Sequence, residues 1–141
     1  LLVEVQALVS PSPMVTPRRV ANGVDRDRLA VVLAVLEKRI GIQLSSSDVY
    51  VSVAGGVAVD EPALDMAIAL AVASSVTDTI VDPRSVVMGE IGLSGELRSV
   101  SQVGKRISEA RRLGFTDAIV PAGNPSIPPK FRTGFRTLPS W

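Results

Sequence analysis

The chain has 141 residues, 46% of them hydrophobic, and its 15 basic and 14 acidic side chains leave a formal net charge of +1. That is the size of one compact domain with apolar material for a real core, and it excludes a strongly cationic protein while leaving room for a local basic patch. Cysteine and histidine are both absent, which removes a disulfide framework, a thiolate zinc site, a Cys nucleophile, the serine–histidine triad and the commonest general base.

"LLVEVQALVS" alternates in part and carries three valines, so it reads as a strand. "PSPMVTPRR" follows with three prolines in seven residues, a loop or an edge segment. "RRVANGVD" reads as a second strand ending in a turn at Asn22-Gly23. Asp25 then fits an N-cap. Leu29, Val32, Leu33, Leu36 and Ile40 recur at helical spacing, with Lys38 and Arg39 in the last turn and Gly41 as the stop. "DVYVSVAGG" alternates Val49, Val51 and Val53 with Tyr50 and Ser52, the pattern of a strand.

A second helix is expected from about Pro62 to Ser74. Proline suits its first turn, and Asp60 and Glu61 suit the positive end of its dipole. Its apolar surface runs almost all round, which implies deep burial. "SVVMGEIGLSGELRSV" reads as two strands around a Gly-Leu-Ser-Gly turn. A third helix spans about Ser101 to Leu113 and stops at Gly114. "DAIVP" is a short buried strand, and "AGNPSIPPKFRTGFRTLPSW" is an irregular tail with a last short strand near Arg136. Strands and helices are interspersed, so the expected class is α+β in a single domain.

The longest apolar run, Met66 to Ala73, is far below the roughly 20 residues that span a bilayer. Glu4 interrupts the N-terminal apolar stretch and no basic leader precedes it, unlike a signal peptide. The chain opens without Met and reads as a domain cut from a longer protein. Lack of Cys suits a reducing, cytoplasmic setting.

Three constellations bear on chemistry. In "GGVAVDEPALD", residues 55–65, Gly55 and Gly56 allow a sharp turn after the strand. The following helix N-terminus would offer N–H groups to an anion or oxyanion. The plainer reading is a capped strand–turn–helix connection. In "VGKRI", Gly104-Lys105 invites comparison with a Walker A loop. The pattern fails, because Ser99 replaces the first glycine and Arg106 the Ser or Thr after lysine. The third is basic charge in three clusters: Lys105, Arg106, Arg111 and Arg112, partly offset by Glu109; Arg18, Arg19, Arg26 and Arg28; and Lys130, Arg132 and Arg136 interleaved with Phe131 and Phe135. Basic surface near aromatics suits nucleic acid, and a solvated helix face with a tail accounts for it equally.

Two long segments carry a resemblance to a known family: "DRDRLAVVLAVLEKRIGIQLSSSDVYVSVAGGVAVDEPALDMAIALAVASS" and "GEIGLSGELRSVSQVGKRISEARRLGF". With "AVLEKR", "VAGG", "EPA" and "GELR" in order, the chain resembles the C-terminal domain of bacterial RadA, also called Sms. That domain is similar to the proteolytic domain of Lon. The resemblance implies a Lon-proteolytic-like mixed sheet with packed helices, the ribosomal protein S5 domain 2-like fold, over residues 1–141. Lon-type peptidases place a serine in a Gly-Pro-Ser-Ala-Gly segment, matched here by "EPALD", so the serine position is Ala63. Their partner lysine follows a Gly-Glu strand in a Gly-Gly-Leu-Lys segment, matched by "SQVG", so the lysine position is Gly104. Lys105 is next door, but one residue rotates a helical side chain by about 100°. Acyl transfer needs a nucleophile and a base to activate it. Ala63 and Gly104 supply neither, and Ser101 and Ser108 beside Lys105 lie away from the nucleophile turn.

The resemblance further implies a non-catalytic scaffold in a DNA branch-migration motor of homologous recombination. That scaffold would form a hexameric ring, contribute to binding DNA, single-stranded above all, and work with RecA. ATP, magnesium and zinc would belong to upstream domains, with no cofactor here. From charge alone, the DNA contacts would be Lys105, Arg106, Arg111 and Arg112, then Arg18, Arg19, Arg26 and Arg28. The alternatives are a pure oligomerisation module without DNA affinity and an active Ser-Lys peptidase.

Overall fold

The computed structural model describes residues 2–55 and 61–122 and the backbone of 135–138. Gly56, Asp60, Lys130, Phe131 and Arg132 lie outside the described residues, as do the side chains of Phe135 and Arg136.

The first sheet joins β1 (Glu4–Pro11), β2 (Arg19–Asn22) and β3 (Ser47–Ala54) in the order β1-β3-β2. β1 runs antiparallel to β3, with Val5 opposite Val53, Ala7 opposite Val51 and Val9 opposite Val49; β2 runs parallel to β3 on its other side. The two-residue alternation of a strand sends these small apolar side chains inward. Gln6, Leu8, Val20, Tyr50 and Ser52 fall on the outer face. Pro11 sits at the last residue of an edge strand, where its missing N–H costs no ladder bond.

Helix α1 (Arg26–Val35) begins as the sequence implies, with the Asp25 carboxylate accepting the Arg28 N–H at 2.9 Å. Its expected continuation to Ile40 differs. Leu36–Ile40 forms a π-helical turn, and the Leu36 carbonyl accepts from both Gly41 and Ile42. Gly41 closes it at φ 84°, a left-handed conformation natural to glycine. Tertiary bonds accompany the wider turn: Glu37 accepts the Leu44 N–H at 2.9 Å, and Arg39 donates to the Leu93 carbonyl. A 3.6-residue period carries no record of such partners.

The second helix opens as a 3₁₀ turn over Pro62–Leu64 and continues as α2 (Asp65–Thr77), longer than expected at its C-terminus. Met66, Ile68, Ala69 and Val72 are completely buried. Between α2 and α3 (Val103–Arg112) the expected two strands are three: β4 (Ser85–Val87), β5 (Glu90–Ile91) and β6 (Leu97–Arg98). The break is at Gly89, whose φ is 155° and where a Cβ would collide with Met66 Sδ. Its N–H donates to the Ala63 carbonyl and its carbonyl accepts from Met66, each at 3.0 Å, so both groups serve the start of α2 instead of a ladder. β5 and β6 form a minimal antiparallel hairpin. β4, β7 (Asp117–Pro121) and β8 (Phe135–Leu138) form a parallel sheet in the order β4-β7-β8.

That sheet divides the interior. Val87 and Ile119 pack toward the larger core, built from α1, α2 and the first sheet. Val86, Ala118 and Val120 pack toward Val103 and Ile107 of α3. The layers therefore run first sheet, α1 with α2, second sheet, α3. This is an α+β fold, as expected.

Candidate functional site

The turn at Ala63 is the position that the resemblance to Lon-type peptidases matches to a serine nucleophile. Ala63 is buried, and its methyl packs in the same cluster as Val103 and Ile107. The fold thus brings the start of α2 and the first turn of α3 together. Gly104 differs: a Cβ built there meets nothing within 4 Å. One position is core and the other faces open space.

A helix start ordinarily leaves N–H groups unpaired. Here they are all taken. Pro62 has none. The Ala63 N–H donates to Glu61 Oε1 at 3.1 Å and the Leu64 N–H to the Glu61 carbonyl at 3.0 Å. Asp65 donates to the Pro62 carbonyl, and Met66 to Gly89 at 3.0 Å. The helix start that could have offered an anion site is therefore filled by the chain's own Glu61, by the tight first turn and by Gly89, in line with the plainer reading of a capped connection. Glu61 Oε1 also lies 3.5 Å from the Arg106 guanidinium, which donates to the Ser101 carbonyl at 2.9 Å. Glu61 so couples the Ala63 turn to α3.

Asp65 is the residue the sequence reading passed over. Its side chain is 3% exposed and forms a 2.8 Å ion pair with Arg28, while its second oxygen accepts the Ile91 N–H at 3.0 Å. α1, α2 and β5 meet at this carboxylate. Burial pushes its pKa above the ordinary value, against the opposing pull of the Ile91 N–H and the Arg28 guanidinium. The available signal was a lone acid leading the apolar run "MAIALAVA", since a buried charge demands a partner.

The structure separates the eight basic candidates. Arg28 is bound to Asp65. Arg19 donates to the carbonyls of Ser47 and Leu44, tying β2 to the approach to β3. Arg18 and Arg26 are exposed, and the Arg18 N–H donates to Asp48 at 2.7 Å. This bond above all, with one from Ser12, holds the Asp48 carboxyl below its ordinary pKa. On α3, Val103, Ile107 and Ala110 face inward, and Lys105, Ser108, Arg111 and Arg112 are exposed. At about 100° per residue, Lys105 and Arg112 lie at the centre of the outer face, with Arg106 and Arg111 on opposite flanks. The Arg18–Arg28 cluster belongs to the first sheet and α1, and the α3 cluster to the far outer layer. Among the described residues, no group of three or more Asp or Glu side chains is placed to hold a metal ion, and no helix is long and apolar enough to cross a membrane.

Sequence comparison finds relatives of this chain among known proteins. The chain is 55% identical over 127 residues to the DNA repair protein RadA of Synechocystis, covering 90% of this chain and 25% of that protein. It is 50% identical over 124 residues to DNA repair protein RadA of Bacillus subtilis, covering 88% of this chain and 27% of that protein. To DNA repair protein RadA of Escherichia coli it is 49% identical over 136 residues, covering 96% and 29%. The chain thus spans about a quarter of the length of these curated relatives. A family described as subunit ChlI of Mg-chelatase matches residues 20–124, from β2 through β7. On that match the chain belongs to the ChlI family.

Proposed function

We propose that the chain is the Lon-like, non-catalytic domain of a RadA-type DNA repair protein, and that it assembles into a hexameric ring and contributes DNA contact. The observation that carries the repair role is near-half identity to proteins named DNA repair protein RadA over about nine-tenths of the chain. The Ala63 turn supports a non-catalytic domain: no hydroxyl or amine stands at positions 63 and 104, and the N–H groups that would stabilise an oxyanion are bonded internally. The DNA surface is the outer face of α3, with Lys105, Arg111 and Arg112 as first contacts and Arg18 and Arg26 as a second, separate patch. Arg28, Arg19 and Arg106 serve positioning. In the longer protein, ATP hydrolysis, branch migration and work with RecA fall to the whole assembly in the cytoplasm.

The test is fluorescence anisotropy of a labelled single-stranded oligonucleotide at several salt concentrations. Three phosphate contacts on α3 would make log K fall with log salt at a slope of about −2, from about 0.7 per contact. Arg111→Glu with Arg112→Glu should abolish binding and leave the oligomer intact. Loss of the oligomer instead would make these interface residues. Absence of binding at low salt would favour the second reading, a pure oligomerisation module, which the formal net charge of +1 supports.

A further inference from the structure

At about 100° per residue, Arg106 stands on the flank of α3, between the outer face of Lys105 and the inward face of Val103 and Ile107. Its side chain reaches across the seam to the start of α2. The Arg106 Nε donates to the Ser101 carbonyl at 2.9 Å, and a terminal nitrogen lies 3.5 Å from Glu61 Oε1.

The two ends of this ion pair differ. Glu61 is anchored: the same Oε1 accepts the Ala63 N–H at 3.1 Å, and Ala63 is buried in the cluster of Val103 and Ile107. Arg106 is held loosely. One terminal nitrogen meets one oxygen, well beyond the roughly 2.8 Å of a charge-assisted bond. The Arg106 and Glu61 side chains are 35% and 41% exposed, and a pair so open to water is weak. A phosphate takes a guanidinium through two parallel N–H bonds and is the stronger acceptor. A polyanion lying along Lys105, Arg111 and Arg112 brings phosphates beside Arg106, the neighbour of Lys105 in the helix.

We propose that a nucleic-acid phosphate on α3 takes Arg106 from Glu61. Arg106 then ties α3 to the start of α2 in the free chain and becomes a fourth phosphate contact in the bound one. The proposal rests on the nucleic-acid part of the reading above. Because the oxygen that Arg106 leaves also caps Ala63, binding on the outer layer is registered at a buried helix start that the ligand does not touch.

The test uses a labelled single-stranded oligonucleotide and the 141-residue chain. A fourth contact takes the salt slope of log K from about −2 to about −2.8, at about 0.7 per contact. Arg106→Gln should return it to about −2. Glu61→Gln keeps an acceptor for the Ala63 N–H and gives up the charge, so binding no longer breaks an ion pair. Affinity should rise about two- to fivefold, the worth of an exposed pair. That gain should vanish in the Arg106→Gln background. In the wild-type chain the Ala63 amide NMR signal should move when the oligonucleotide is added, and in Arg106→Gln it should stay put. An unchanged slope in Arg106→Gln, an equal Glu61→Gln gain in both backgrounds, or a wild-type Ala63 signal that ignores bound oligonucleotide overturns the exchange and leaves DNA contact standing. A wild-type chain that binds no oligonucleotide at low salt overturns both.

Discussion

Arg28 and Asp65, 37 residues apart, form a 2.8 Å ion pair in which the carboxylate is 3% exposed and the guanidinium 21%. Removing one partner of such a pair leaves the other charge stranded. Arg28→Ala should therefore destabilise the fold by about 3 kcal/mol in urea unfolding. Asp65→Asn keeps an acceptor for the Ile91 N–H and frees an arginine that can reach water, so its cost should be about half that. Equal, near-zero effects would show the pair to be ornamental. Weakened DNA binding by Arg28→Ala with unchanged stability would return Arg28 to the contact surface.

Two buried aspartates should titrate in opposite directions. Carboxyl NMR should find Asp65 above and Asp48 below the ordinary value near 3.8. For Asp48, the folded pKa is depressed, so its stabilisation is present above the unfolded pKa and is lost as pH falls through the folded one. For Asp65, the folded pKa is raised, so its contribution is largest below the unfolded pKa and declines as pH rises to the folded one. Asp48→Asn should thus flatten the acid limb of the stability curve, and Asp65→Asn should not.

Rebuilding the dyad should not restore a peptidase. Ala63→Ser with Gly104→Lys places a hydroxyl in the cluster with Val103 and Ile107, and a lysine where a Cβ meets nothing within 4 Å. The Ala63 N–H remains bonded to Glu61. An acyl-reactive serine probe should label neither the wild-type chain nor this variant; stoichiometric labelling of the wild-type chain would refute the non-catalytic reading, and labelling of the variant alone would refute the claim that the turn can no longer activate a serine. Burying the new hydroxyl without a partner should itself cost about 1–3 kcal/mol.

Glu61 holds the same turn from outside. Glu61→Ala removes the cap on Ala63 and the partner of Arg106, and should cost about 1 kcal/mol. Hydrogen exchange should rise at Ala63 and in the first turn of α3 together. Faster exchange at Ala63 alone would mean that the half-exposed 3.5 Å pair does not couple the two elements.

Gly89 should tolerate no side chain. A Cβ would strike Met66 and crowd Pro121, at a φ of 155°. Gly89→Ala should cost on the order of 3 kcal/mol, the upper range for overpacking, seen as a lower urea midpoint with an unchanged slope.

The sequence by itself determined the elements whose signals are local. The Asp25 cap, the glycine stops at Gly41 and Gly114, the alternation of β3 and the deep burial of α2 all rest on neighbours within a few residues. That position 63 lacks a hydroxyl and position 104 an amine is plain from the residues themselves, while their match to a catalytic pair rests on the resemblance to Lon. Tertiary structure alone decided where polar groups find partners. Gly89 breaks an expected strand because α2 takes both its hydrogen bonds. Glu61 fills the helix start that read as an anion site. Arg19 and Arg28 leave the list of basic surface residues because carbonyls of residues 44 and 47 and a buried carboxylate claim them. Hydrogen bonds and ion pairs act over a few ångströms in space, between residues far apart in the chain, and only the folded backbone sets those distances.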